Sequence, residues 1–150
     1  MNQKMKQTKP SISQLDQVAL LKKFIGTWQN KFDADAFIIY TIKPFGKGLE
    51  ATYQVATDEK TLLETRQLVG FDPEYKTFTN FNLNENGLVV QFQGKFISEN
   101  RVSLDVYDWK NPEQVIARTE FEFHDKDMFT VTQILGNLGG KPGVYYRIKE

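Results

Sequence analysis

The chain has 150 residues, no cysteine, and 19 lysines and arginines against 19 aspartates and glutamates. At 40% hydrophobic and 25% charged residues it matches one globular domain, long enough to bury about 68–70% of its unfolded surface without disulfide or metal staples. Balanced charge excludes the footprint of a protein that neutralises many phosphates, so no nucleic-acid partner is expected. The longest apolar run, residues 36–40, falls far short of the about 20 residues of a membrane span. With no leader-like apolar stretch after Met1, the expectation is a soluble protein of the cytoplasm.

Lys4, Lys6 and Lys9 open the chain without an acid among the first nine residues. That composition predicts a solvated tail over residues 1–12, ahead of a single domain over 13–150. Ser13 as a cap, Asp16 three residues on, and a stripe of Leu15, Val18, Ala19 and Leu21 predict one short helix over 13–24. So short a helix cannot bury its stripe alone, and is expected to close one end of a barrel.

From Gly26 onward the pattern has period two, cut by turn chemistry. The turns are DAD at 33–35, PFGKG at 44–48, TDEK at 57–60, DPEY at 72–75, NENG at 84–87, SEN at 98–100, KNPE at 110–113, DKD at 125–127 and GNLGGKPG at 136–143. These nine turns separate ten strands. Asn86-Gly87 reads as a two-residue type I′ hairpin. Connections this short allow only antiparallel neighbours, and closing the sheet removes its edges. The expected fold is therefore all-β: a ten-stranded, antiparallel, up-and-down meander barrel with a short N-terminal helix at one end. The glycine-rich 136–143 is the one loop suited to act as a lid.

Alternation sorts most faces. Leu49, Ala51, Tyr53 and Val55 are expected inside, as are Leu88, Val90, Phe92, Gly94 and Phe96, and Val102, Leu104 and Val106. The same holds for Leu63, Thr65, Gln67, Val69 and Phe71, for Val115, Ala117, Thr119, Phe121 and Phe123, and for Phe129, Val131, Gln133 and Leu135. On the closing strand Val144, Tyr146 and Ile148 are assigned inward, with Tyr145 and Arg147 outward. The strands at 36–42 and 78–83 are apolar on both faces, and one face could serve the helix.

Ten strands enclose more space than ordinary side chains fill, and the inward polar groups are neutral and set among phenylalanines. This predicts an interior pocket for a small, mostly neutral hydrophobic molecule, with Tyr53, Gln67, Phe92, Thr119, Phe121, Gln133 and Tyr146 as ligand-binding residues. No catalytic residue is assigned. With no cysteine and one histidine, neither a metal site nor a cofactor is expected. The carboxylate pairs Asp33/Asp35, Glu120/Glu122 and Asp125/Asp127 lie in turns or on outward faces, where solvation explains them. Binding is thus favoured over catalysis. The alternatives are an isomerase or cyclase using Asp108 or a tyrosine as its acid, and an interaction module with a filled barrel. Oligomeric state is left open.

Phe24-Ile25-Gly26-Thr27-Trp28-Gln29 directly follows the helix and begins the first strand. This FxGTW opening resembles that of the calycin superfamily, the lipocalins and fatty-acid-binding proteins. The resemblance implies that Trp28 closes one end of the barrel under an arginine from a late strand, with Arg147 the candidate and Arg66 and Arg118 its rivals. Gly70-Phe71-Asp72, followed by Tyr75 and Phe78, resembles the mid-chain turn of the bacterial lipocalin-like domains of unknown function, to which the layout is most similar. Departures are plain. Only DADA separates Phe32 from Phe37, where fatty-acid-binding proteins insert two helices, and Asp105-Val106-Tyr107 is a poor echo of the lipocalin TDY motif. The nitrobindin-type barrels bind haem through a histidine near the C-terminus. Here the opening Gly26-Thr27-Trp28-Gln29-Asn30 lacks the later glycines of their G-x-W-x-G-x-G motif and His124 ends a strand on a charged face, which disfavours haem. A fatty-acid-type carboxylate clamp would need Tyr145 and Arg147, present in reversed order.

Overall fold

The computed structural model describes residues 11–108, 110–135 and 138–148. The tail expected over 1–12 lies almost entirely outside the described residues. The strands are β1 (Gly26–Asn30), β2 (Phe37–Phe45), β3 (Gly48–Ala56), β4 (Thr61–Asp72), β5 (Thr77–Asn84), β6 (Val89–Ser98), β7 (Arg101–Asp108), β8 (Asn111–Asp125), β9 (Met128–Leu135), β10 (Leu138–Gly139) and β11 (Gly143–Arg147). Each of β1 to β9 pairs antiparallel with the next, and β11 pairs with both β9 and β1. The result is a closed ten-stranded meander barrel. The two-residue β10 adds no eleventh stave. It pairs Leu138 with Leu135 and Gly139 with Ile134, and β11 continues along β9 from Gly143 opposite Val131. Gly140 N–H bonds Gln133 O between them at 2.9 Å. The segment expected as a lid is therefore largely tied to β9, while residues 136 and 137 lie outside the described residues.

The Asn-Gly turn is longer than the expected type I′ hairpin. Gly87 has φ +80°, but Asn86 does not enter the left-handed region. Gly87 N–H instead closes on Asn84 O at 2.9 Å, and the Asn84 side chain accepts from the N–H groups of Asn86 and Leu88 at 3.0 and 3.1 Å. A polar side chain ahead of the turn thus takes over donors that a tighter hairpin would have paired.

The expected single helix over 13–24 is broken in three. A 3-10 turn spans Ile12–Gln14, α1 spans Gln17–Leu21 and a second 3-10 turn spans Lys22–Phe24. Leu15 is extended, and Asp16 acts as the cap of α1, accepting from Ala19 N–H at 3.1 Å. Ser11, not Ser13, caps the first turn in a capping box with Gln14. The segment plugs the barrel end, with Leu21 and Phe24 in the core. Its Gln17 side chain donates to Phe96 O at 2.9 Å and accepts from Phe96 N–H at 2.8 Å. The amide thus stands in as a strand partner where the β6–β7 register shifts, between Phe96 and Ser98.

Above that plug lies an aromatic core. The Phe24 ring is 4.7 Å from Phe123 and 5.5 Å from Phe129, and Trp28 is 4.6 Å from Phe129. Each such pair contributes about 0.5–1.5 kcal/mol beyond area burial. Trp28 is fully buried and donates from Nε1 to Phe24 O at 2.8 Å. Arg147 is its register partner across β1–β11, and the guanidinium carbon sits 4.1 Å from the indole centroid. The rivals Arg66 and Arg118 bind Glu64 and Asp105 on the surface.

Both ambiguous strands resolve. Ile38, Tyr40 and Ile42 face inward from β2, as do Phe78, Asn80 and Asn82 from β5. Phe81 and Leu83 face outward instead, beside Leu68 and Val89 across the sheet. Among the described residues, no helix is long and apolar enough to cross a membrane.

Candidate ligand cavity

The plug fills only the helix end. Toward the β5–β6 hairpin the interior opens into a cavity of about 280 Å³, and a small apolar void of about 40 Å³ lies beneath it against Leu21, Phe24 and Phe78. Leu88 and Val90 line the cavity yet remain solvent-exposed, which places them at its mouth.

Six of the seven expected ligand-binding residues are brought together on this wall: Tyr53 from β3, Gln67 from β4, Phe92 from β6, Thr119 and Phe121 from β8, and Gln133 from β9. Tyr146 is not among them. It is 58% exposed on the outer face, and Tyr145, 6% exposed, lines the cavity in its place. The inward assignment of Val144, Tyr146 and Ile148 is therefore reversed. Arg147 misleads the parity: a charged residue reads as outward, yet here it stacks on Trp28 at the closed end. Its guanidinium is occupied by Ile25 O at 2.6 Å, Lys126 O at 2.8 Å and the Asp127 carboxylate at 3.1 Å. That saturation leaves no fatty-acid-type clamp with Tyr145.

Sequence reasoning missed Tyr40, Asn80, Asn82, Asn84 and Tyr145 as cavity residues. The asparagines alternate in FTNFNLN, a strand signal. Asparagine is depleted in strands and common in turns, which hides it. The available signal was the β4–β5 hairpin, which sets inward Phe71 opposite Phe78, Val69 opposite Asn80 and Gln67 opposite Asn82.

Three tyrosines share one side. Tyr40 lies with ring centroids 5.6 Å from Tyr53 and 6.4 Å from Tyr145, both edge-on. The Tyr40 hydroxyl donates to Gln67 Oε1. Burial pushes the Tyr40 phenol well above its usual range, with Tyr53 adding to the shift. Tyr145 is also raised, first by burial and then by Tyr53 beside it, while a hydrogen bond with Asn30 opposes the change. Both therefore stay protonated at neutral pH and act as hydrogen-bonding groups rather than bases. Among the described residues no charged side chain lines the cavity. Ten of its sixteen lining residues are neutral and polar, counting the tyrosines, a more polar wall than the sequence suggests.

The other candidates sit elsewhere. His124 is exposed, 3.1 Å from the Thr130 hydroxyl. Glu120 pairs with Arg101 at 3.0 Å on the outer face, and the Asp108 carboxylate lies outside the described residues. Among the described residues no cluster of three metal-ligating side chains occurs. No protein-family model matches the chain and no curated protein matches its sequence.

Proposed function

We propose that the protein is a calycin-like binder of a small, neutral, largely apolar molecule held inside the barrel. The observation that carries this reading is the open cavity of about 280 Å³, lined by five aromatic rings and, among the described residues, by no charge. Ligand pockets are concave and largely preformed, with a few polar groups to fix orientation. A rigid closed sheet provides such a pocket at little ordering cost on binding. The likeness in layout to lipocalin-like domains supports the same reading. Catalysis is less well supported, because general acid-base chemistry needs a group near its pKa at working pH, and the two perturbed tyrosines are shifted away from neutrality. A filled interaction barrel is disfavoured by the cavity itself.

Titration with the neutral dye Nile red tests the assignment. One dye is expected to bind per chain with a blue-shifted emission. Val90→Trp, which fills the mouth from a half-exposed position, is expected to weaken binding about tenfold or more, equivalent to about 1.4 kcal/mol. Unchanged affinity in that variant would place the site elsewhere.

A further inference from the structure

Two buried polar atoms inside the barrel have no partner. The Oδ1 atoms of Asn80 and Asn82 make no hydrogen bond among the described residues, although the two residues are only 9% and 6% exposed. They stand two positions apart on β5, so both side chains leave the same face, and both line the cavity. Burying an oxygen without a donor is costly, and native folds pair nearly all such atoms. The neighbouring wall makes no bond to them, although the Gln67 amide beside Asn82 carries N–H groups. Asn80 is flanked across the sheet by Val69 and Phe92, and Asn82 by Gln67 and Val90. The Tyr40 hydroxyl, which could donate, is already engaged by Gln67 Oε1.

Asn84, the third asparagine of the series, shows what satisfaction looks like. Its Oδ1 accepts two backbone N–H groups of the β5–β6 turn. Its role is structural, whereas the inner two oxygens are shut into the cavity wall without a donor.

We propose that Asn80 and Asn82 form a ladder of acceptors that selects the ligand by its hydrogen-bond donors. The cavity then takes an uncharged two-ring aromatic molecule carrying N–H or O–H groups along one edge. This deepens the binding reading and rests on it. Size fits, since a cavity of about 150 Å³ holds benzene and this one offers about 280 Å³. Spacing fits as well: two residues along a strand advance about 6.8 Å, the scale of substituents on opposite rings of a fused pair. Phe92, Phe121 and Tyr53 supply aromatic surface that suits a flat guest. A charged guest would leave water for a wall with no counter-charge among the described residues.

The test uses three probes of one shape, followed by their own fluorescence: naphthalene, dihydroxynaphthalene with its hydroxyls on opposite rings, and the corresponding dimethoxynaphthalene. The intact protein is expected to bind the diol roughly tenfold or more tighter than the ether, about the effect of one hydrogen bond made or left unmade. In the Asn80→Leu/Asn82→Leu double variant that preference disappears, and the melting temperature of the free protein rises as two orphaned oxygens are removed. Equal binding of diol and ether to the intact protein would mean that a guest in the cavity does not reach these oxygens; the inference then fails while cavity binding stands. A preference that survives in the folded variant also overturns it. Binding of none of the three probes overturns both readings. Should the variant not fold, the comparison of diol and ether on the intact protein decides alone.

Discussion

Gly26 explains why the opening motif needs a glycine. Its φ is +139°, and a Cβ there would meet Arg147 Nη1 at 2.3 Å. The missing side chain is the space through which the guanidinium reaches Ile25 O and covers Trp28. Gly26→Ala is expected to destabilise the fold by about 1–3 kcal/mol from backbone strain, with more from the displaced arginine. Urea unfolding followed by tryptophan fluorescence measures it, and an unchanged midpoint would refute the packing argument. Arg147→Lys keeps the charge but loses the planar fork and stacking surface. It is expected to lose about 1–3 kcal/mol in the same assay, since several backbone carbonyls then lack a donor.

At the scale of elements, the helical plug is held by more than its apolar stripe. Five residues of α1 are too few to be stable alone. Leu21 and Phe24 supply burial, and Gln17 supplies register by pairing both backbone groups of Phe96. Gln17→Leu keeps the volume and removes the pairing. Two buried groups are then orphaned, at about 1–3 kcal/mol each. Faster hydrogen exchange at the Phe96 amide, beyond that of the β2–β3 ladder, is the expected signature. The strands themselves were legible because period-two alternation and short turns report directly on pleat and hairpin. The helix was less so. Ser11 caps the first 3-10 turn and Asp16 caps α1, and the extended Leu15 between them breaks the single helix that the apolar stripe suggests.

For the whole molecule, the buried tyrosines set an alkaline limit. A phenol in the unfolded chain ionises near 10.0, whereas Tyr40 and Tyr145 resist ionisation in the fold. Below that pH both states carry the proton and stability is unaffected. Above it the unfolded state binds fewer protons, so unfolding becomes more favourable with each unit of pH. The expected loss is about 1.4 kcal/mol per pH unit for each such tyrosine. Unfolding midpoints measured across pH 10 and above should fall with that slope, and Tyr145→Phe should flatten it. A slope unchanged by the substitution would mean that Tyr145 ionises in the folded state.

Legible along the chain were the class and count of strands, the antiparallel order and six of the seven anticipated wall residues. These follow from local rules: alternation, turn chemistry and the short reach of hairpins. Packing across strands set the parity of β11, because Arg147 faces inward against Trp28 and reverses what charge alone suggests. It alone placed Asn80 and Asn82 side by side within the cavity. Their place in the wall follows from the register of β5 against β4 and β6, which no single strand's pattern contains.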